Sequence, residues 1–250
     1  MIRILVTNDD GVHSPGLRAL AERLGAIGEV TVVAPDREVS GISHALTVSE
    51  PLRYEKLEEG VFAVAGTPAD CVNLAVGNLL KVRPDLVVSG INRGANVADD
   101  VTYSGTVAGA MEGAMLGITS FAVSLASKQS EDFRTAAEFA VQLAQIVAEK
   151  TLPPRTFLNV NVPLGKVEGV RITSQGSRTG AEPRDAGARL YSWIKQGWSG
   201  AERNGISDIA AVRENLISVT PLHIDFTNYH ALDELASWGL NWNGGPSRRR

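Results

Sequence analysis

The sequence holds a single cysteine, Cys71, among 250 residues. One thiol excludes an intramolecular disulfide and a cysteine-based zinc site. No run approaches the ~18 consecutive apolar residues that a membrane-spanning helix needs, so no membrane partner is expected. Charge of one sign is not in excess: 24 Lys+Arg against 28 Asp+Glu leave a net charge of −4. That balance argues against a nucleic-acid polymer as partner. The four histidines, His13, His44, His223 and His230, show no H-E-x-x-H or comparable ligand spacing. G-x-x-x-x-G-K-[ST] is missing, as are G-x-G-x-x-G after a strand and G-x-S-x-G. These absences argue against a Walker-type phosphate loop, the common dinucleotide fold and a nucleophile elbow. There is no fixed-period repeat.

Hydrophobic residues make up 44% of the chain, enough to build a core. The chain opens on a strand-like run into Asn8-Asp9-Asp10-Gly11 and not on a leader pattern. The expectation is a cytoplasmic globular protein with one large domain. Residues 3–7, 29–34, 85–89 and 120–124 read as buried strands. Between them, 15–24, 67–80 and 104–116 read as helices, the first two opening on Ser14-Pro15 and Thr67-Pro68. A long helix is expected over 133–150, with Phe139, Leu143, Ile146 and Val147 on one face. Residues 44–64 hold three short β-like runs, read as a hairpin excursion from the sheet. The alternation over 1–150 predicts an α/β, doubly wound, mostly parallel sheet. Further strands are expected at 157–162, 170–173 and 216–220. An irregular arm spans about 175–215, with a possible strand at 191–194, and a helix and tail cover 228–250. The chain is read as one α/β domain throughout. The three arginines at 248–250 follow linker-like composition and read as a solvated tail or a small contact with a phosphate or another subunit.

In a doubly wound sheet, ligands bind beyond the carboxyl ends of the strands. After the first strand come Asn8, Asp9, Asp10 and Gly11. After the second come Asp36, Arg37, Ser40 and Gly41. After the strand ending at Ser89 come Asn92, Arg93 and Asn96. Adjacent carboxylates disfavour joint ionisation unless a cation sits beside them. Oxygen donors from Asp, Ser and Asn suit Mg²⁺ or Mn²⁺ rather than zinc. The competing reading is a turn or helix cap, for which Asp and Gly are common. Ser104-Gly105-Thr106 opens a small-residue helix whose free N–H groups make an anion site or an ordinary N-cap. A divalent cation facing such a helix start is an arrangement for phosphoryl transfer. His13 and His44 lie near these loops and read as substrate groups or as packing. Arg37 and Arg93 read as phosphate-facing or salt-bridged.

Together, Val6-Thr7-Asn8-Asp9-Asp10-Gly11, Ala34-Pro35-Asp36-Arg37 with Ser40-Gly41, Gly66-Thr67-Pro68-Ala69-Asp70-Cys71-Val72, Ser89-Gly90-Ile91-Asn92-Arg93-Gly94 and Tyr103-Ser104-Gly105-Thr106-Val107-Ala108 resemble the SurE family. These are stationary-phase survival proteins and metal-dependent nucleoside 5′/3′-monophosphate phosphatases. The strand-like Ile217-Ser218-Val219-Thr220-Pro221-Leu222, with Asp225 and Thr227, also looks like the family's. The resemblance implies a Rossmann-like sheet with a smaller, β-rich C-terminal part. It implies one divalent ion, Mg²⁺ or Mn²⁺, on Asp9, Asp10, Ser40 and Asn92, with Asp9 and Asp10 also catalytic. Asn8, Gly41, Asn96, Ser104, Gly105 and Thr106 would line the phosphate pocket. The substrate would be a nucleoside monophosphate, with short polyphosphate a further one, and an extended arm would be exchanged within a homodimer or homotetramer. A non-hydrolytic nucleotide-binding protein is the alternative. Two departures, Glu38-Val39 before Ser40 and His44 where Asn is common, bear on base and sugar preference. Cys71 falls within the 67–80 helix and reads as packing.

Overall fold

The structure is a computed structural model that describes residues 1–177, 182–184, 193–195 and 206–240. In chain order its elements are β1 (Ile2–Thr7), α1 (Pro15–Leu24), β2 (Gly28–Pro35), β3 (Tyr54–Glu58), β4 (Val61–Val64), α2 (Pro68–Leu74), β5 (Leu86–Arg93), α3 (Gly105–Met115), β6 (Thr119–Leu125) and α4 (Arg134–Glu149). They continue with β7 (Thr156–Val162), β8 (Gly169–Ile172), β9 (Glu182–Arg184), β10 (Trp193–Lys195), α5 (Asp208–Arg213), β11 (Leu216–His223) and α6 (Leu232–Ser237). Nine strands form one sheet in the order β3-β4-β2-β1-β5-β6-β7-β11-β8. From β4 to β7 all neighbours are parallel; β3 and β11 pair antiparallel to β4 and β7, and β8 follows β11. The parallel strands therefore end at one common edge, and their following loops converge there.

Local signals explain why the helices begin where they do. Ser14 accepts a hydrogen bond from the Leu17 N–H ahead of Pro15, and Thr67 and Asp70 form a reciprocal capping box on α2. The core lies on both faces of the sheet, because successive strand residues point opposite ways. Ile4 and Val6 pack with Leu17, Leu20 and Phe121 beneath α1 and α4, while Leu5, Val33 and Val87 pack with Cys71 and Val72 on α2. Cys71 is thus buried packing.

Some sequence expectations are corrected. Residues 44–64 give two strands, not three, and the hairpin does not leave the sheet: β4 pairs parallel with β2, and β3 closes that edge. Pairing with β4 satisfies backbone groups that β2 would otherwise expose. On α4 the buried residues are Ala136, Ala137, Ala140, Leu143, Ala144 and Val147, while Ile146 is exposed and Phe139 only partly buried. The alanines seat the helix close to the sheet, which rotates the contact stripe away from the larger side chains. β5 does not stop at Ser89 but continues to Arg93 through a register shift between Gly90 and Asn92. The helix expected near 228–238 begins as a 3₁₀ turn (Tyr229–Ala231) before α6. Of the possible strand at 191–194, Trp193 and Ile194 fall in β10, which pairs antiparallel with β9; residues 191 and 192 lie outside the described residues, as do much of the 175–215 arm and the arginines at 248–250.

Candidate functional site

Asp9 and Asp10 follow β1 directly at the carboxyl edge of the sheet. The Asp9 backbone carbonyl accepts from the Val39 N–H at 2.8 Å, which ties this loop to the one after β2. Gly11, at φ +95°, sits where a Cβ would meet the Arg37 carbonyl carbon at 3.0 Å, so only glycine lets the two loops close. Asp9 is almost fully buried, and burial raises its pKa. The Thr106 hydroxyl donates to its Oδ1, and the N–H groups of Gly105 and Thr106 partly offset the shift. Asp10 is half-buried; burial first, and then the Asp9 charge, push its pKa up to about 6. Its Oδ2 accepts from the Arg93 N–H at 3.4 Å.

Neither carboxyl is ion-paired with a cationic side chain among the described residues. Arg37 pairs with Asp36 at 3.0 Å and Arg93 with Glu131 at 3.2 Å, so among the described residues neither arginine forms an ion pair with Asp9 or Asp10. Burial is the first cause of both raised pKa values, and for Asp10 the Asp9 charge adds to it. Ser40 and Asn92 supply neutral oxygens beside them. The Asn92 Nδ2 donates to the Gly94 carbonyl at 2.8 Å, Oδ1 has no partner among the described residues, and the Ser40 hydroxyl donates to Glu38 at 2.8 Å. No cluster of three or more His, Cys, Asp and Glu suited to a metal occurs among the described residues. The available set is two carboxylates with amide and hydroxyl oxygens, a donor chemistry that fits a hard divalent cation.

Asp9, Asp10, Ser40, Gly41, Asn92, Asn96 and Ser104 line one cavity of about 350 Å³. Its remaining wall includes Glu38, Arg93, Asp100, Tyr103 and Lys128. Ser104 caps α3, its hydroxyl accepting from the Val107 N–H at 3.1 Å. Gly105 is required for the closeness of this helix start: a Cβ there would lie 2.8 Å from the Asp9 Cβ. The anion at the first turn of α3 is therefore Asp9's own carboxyl. Three residues expected in the pocket are not among those lining it. Asn8 is fully buried, its Nδ2 donating to the Gly11 carbonyl at 3.0 Å and to Ser14 at 2.8 Å, so it fixes the loop. The Thr106 hydroxyl is engaged by Asp9, and Gly105 packs against it. His13 is exposed and Arg37 lies outside the lining, whereas Arg93 is within it.

Sequence reasoning missed two groups. Asn159 and Asn161 on β7 both donate to the Asn96 carbonyl, at 2.8 and 3.0 Å, and Asn161 Oδ1 accepts from the Asn96 N–H at 2.8 Å. Asn96 Nδ2 donates to Ser124 at 2.9 Å, so the residue is held on four sides. The signal was the alternation of two asparagines with apolar residues in a buried strand, since buried amides need partners. Lys128 belongs to the loop after β6, a carboxyl-edge loop like the other three.

Comparison with known proteins finds relatives over nearly the whole chain. The model of a family described as "Survival protein SurE" matches residues 4–182. The "5′-nucleotidase SurE" of Syntrophotalea carbinolica is 51% identical over 246 residues, covering 96% of this chain and 98% of that protein. The protein of the same name from Geotalea uraniireducens is 52% identical over 250 residues, covering 96% of this chain and all of that one. Among solved structures, the crystal structure of the SurE protein from Aquifex aeolicus superposes with a TM-score of 0.85 at 41% identity, covering 94% of this chain and 99% of that chain.

Proposed function

The chain belongs to the survival protein SurE family, and from that premise we infer that it is a 5′-nucleotidase which hydrolyses nucleoside monophosphates to nucleoside and phosphate in the Asp9–Asp10 cavity. The observation that carries the reading is a carboxylate pair, Asp9 buried and Asp10 half-buried, with no ion-paired cationic side chain among the described residues, at the start of α3. Asp9, Asp10, Ser40 and Asn92 would hold one divalent ion, Mg²⁺ or Mn²⁺. Bound there, the ion supplies Lewis-acid polarisation of a phosphate oxygen.

The chain's own residues do the rest. Lys128, in the cavity wall, balances phosphate charge. Asn96 and Ser104 orient the remaining oxygens, Asn96 from a backbone held by Asn159 and Asn161. Thr106 and the first turn of α3 keep the Asp9 carboxyl in place. Asp10 is the more accessible carboxyl and is assigned the proton of the attacking water. As water oxygen bonds to phosphorus, the ester oxygen leaves with the nucleoside and is protonated by solvent. The same chemistry extends to 3′-monophosphates and short polyphosphate, because the cavity addresses the phosphate. Exposed Phe226, Trp238 and Leu240 support burial of the C-terminal segment in a homodimer or homotetramer. No helix among the described residues is long and apolar enough to cross a membrane, and we place the protein in the cytoplasm on its single cysteine and mild acidity.

The test is phosphate release from a panel of nucleoside monophosphates with Mg²⁺, Mn²⁺ or EDTA. Release with metal and none with EDTA is expected. Nucleotide binding without release under any metal would replace the reading with that of a binding protein.

A further inference from the structure

Beside the carboxylate cavity lies a second one of about 530 Å³, and Ser104 lines both. Its walls are chiefly apolar, with Val107, Met111, Phe157 and Leu222 among them, and His44, Ser43 and Gln175 are among its polar lining. This size is typical of a small-molecule site. His44 is fixed rather than free: its Nε2 lies 2.6 Å from Oε2 of Glu112. Glu112 is buried on α3, and its other oxygen accepts from Asn73 Nδ2 at 2.7 Å. An ionised carboxylate only accepts, so His44 donates through Nε2. In the neutral ring this leaves Nδ1 as an acceptor, with no partner among the described residues.

We propose that the second cavity takes the nucleoside of the substrate, that His44 Nδ1 accepts a hydrogen bond from a sugar hydroxyl, and that Glu112 is a positioning residue that sets the ring's tautomer. This rests on the 5′-nucleotidase reading and adds how the leaving nucleoside is read. Continuity through Ser104 places an ester-linked sugar at the boundary between the polar and apolar walls. The base then meets Met111, Phe157 and Leu222, whose apolar surfaces make few directional demands.

The experiment compares kcat/KM for adenosine monophosphate and for p-nitrophenyl phosphate, an aryl ester without a sugar, in the metal-loaded protein. For His44→Ala the ratio of the two should fall about 5- to 10-fold, through KM for the nucleotide, as expected for one lost hydrogen bond. His44→Asn, which keeps an acceptor, should recover part of it. Glu112→Gln should lower the ratio about 3-fold, because an amide no longer dictates which ring nitrogen carries the proton. Thermal unfolding of each variant separates misfolding from lost recognition. Calorimetric binding of adenosine gives a readout independent of turnover, expected to weaken by the same 5- to 10-fold in His44→Ala. An unchanged ratio and unchanged adenosine affinity in folded His44→Ala, or a parallel fall for both esters, would overturn the proposal. Absence of turnover by the parent protein on both esters would instead overturn the phosphatase reading, while adenosine binding still decides the role of His44.

Discussion

On one side of Ser104 the wall is carboxylate, amide and ammonium; on the other it is Val107, Met111, Phe157 and Leu222. The polar side is made by loops after parallel strands, and its groups are held by backbone bonds such as Val39 N–H to the Asp9 carbonyl and Asn159 to the Asn96 carbonyl. The apolar side draws on α3 with strands β7 and β11, and its few polar groups, such as His44, Gln175 and Ser43, are each held by a hydrogen bond. The difference is one of tolerance. Charged groups in a poorly hydrated cavity lose much when one partner moves, because the desolvation cost remains. An apolar wall loses only contact area. The polar cavity should therefore govern turnover of every phosphomonoester, and the apolar cavity only the choice among them.

The sharpest way to break this comparison is Asp10→Asn. It keeps size and removes one charge from the pair. Metal-stimulated kcat/KM should fall about 10²- to 10³-fold, as for loss of a transition-state electrostatic partner, and equally for adenosine monophosphate and p-nitrophenyl phosphate. Full retention of metal-stimulated activity would dissolve the distinction. Lys128→Ala should act on the same side with a smaller effect, about 10-fold in KM for both esters with kcat little changed, the size of one charged hydrogen bond. Steady-state kinetics on the two substrates reads both variants. A loss confined to the nucleotide would move Lys128 to the other side of Ser104.

How much of this was legible in the chain depends on where each partner sits. Asp9 and Asp10 are visible because adjacency after a strand is itself the signal, and the Ser14 and Thr67 caps because their partners lie three residues on. The sheet from β1 to β7 follows from alternating apolar periodicity. The grip on Asn96 is not visible, since its asparagines lie 63 and 65 residues away and only the fold joins them. The same is true of His44, Glu112 and Asn73, which sit on three separate segments. Thr106 was legible as a site residue but not in its bond, because a hydroxyl at a helix start serves a ligand or a neighbouring carboxyl equally well. Lys128 was within reach of the strand-edge rule, which applies to the loop after β6 as much as to the others.

The smallest expected effect sharpens the comparison through pH. The Asp10 pKa, about 6 in the folded metal-free protein, lies above the usual carboxylate value because of burial and the Asp9 charge. A raised carboxyl pKa means that the folded state holds the proton more tightly than the unfolded chain does. Stability from this group is fully present below about pH 4 and is lost as pH rises through 6. A divalent ion on Asp10 reverses the preference, because it binds the ionised form and must displace the proton. The rise in melting temperature on adding Mn²⁺ should therefore be largest near pH 7.5. It should shrink toward pH 5 as apparent affinity weakens by up to roughly tenfold per pH unit for one competing proton. Asp10→Asn should reduce the increment and flatten its pH dependence, while His44→Ala should leave the slope unaltered because neither His44 nor its partner Glu112 lines the carboxylate cavity. Thermal scans from pH 5 to 8 with and without Mn²⁺ decide it: an increment independent of pH would mean that the ion does not compete with a proton at this pair.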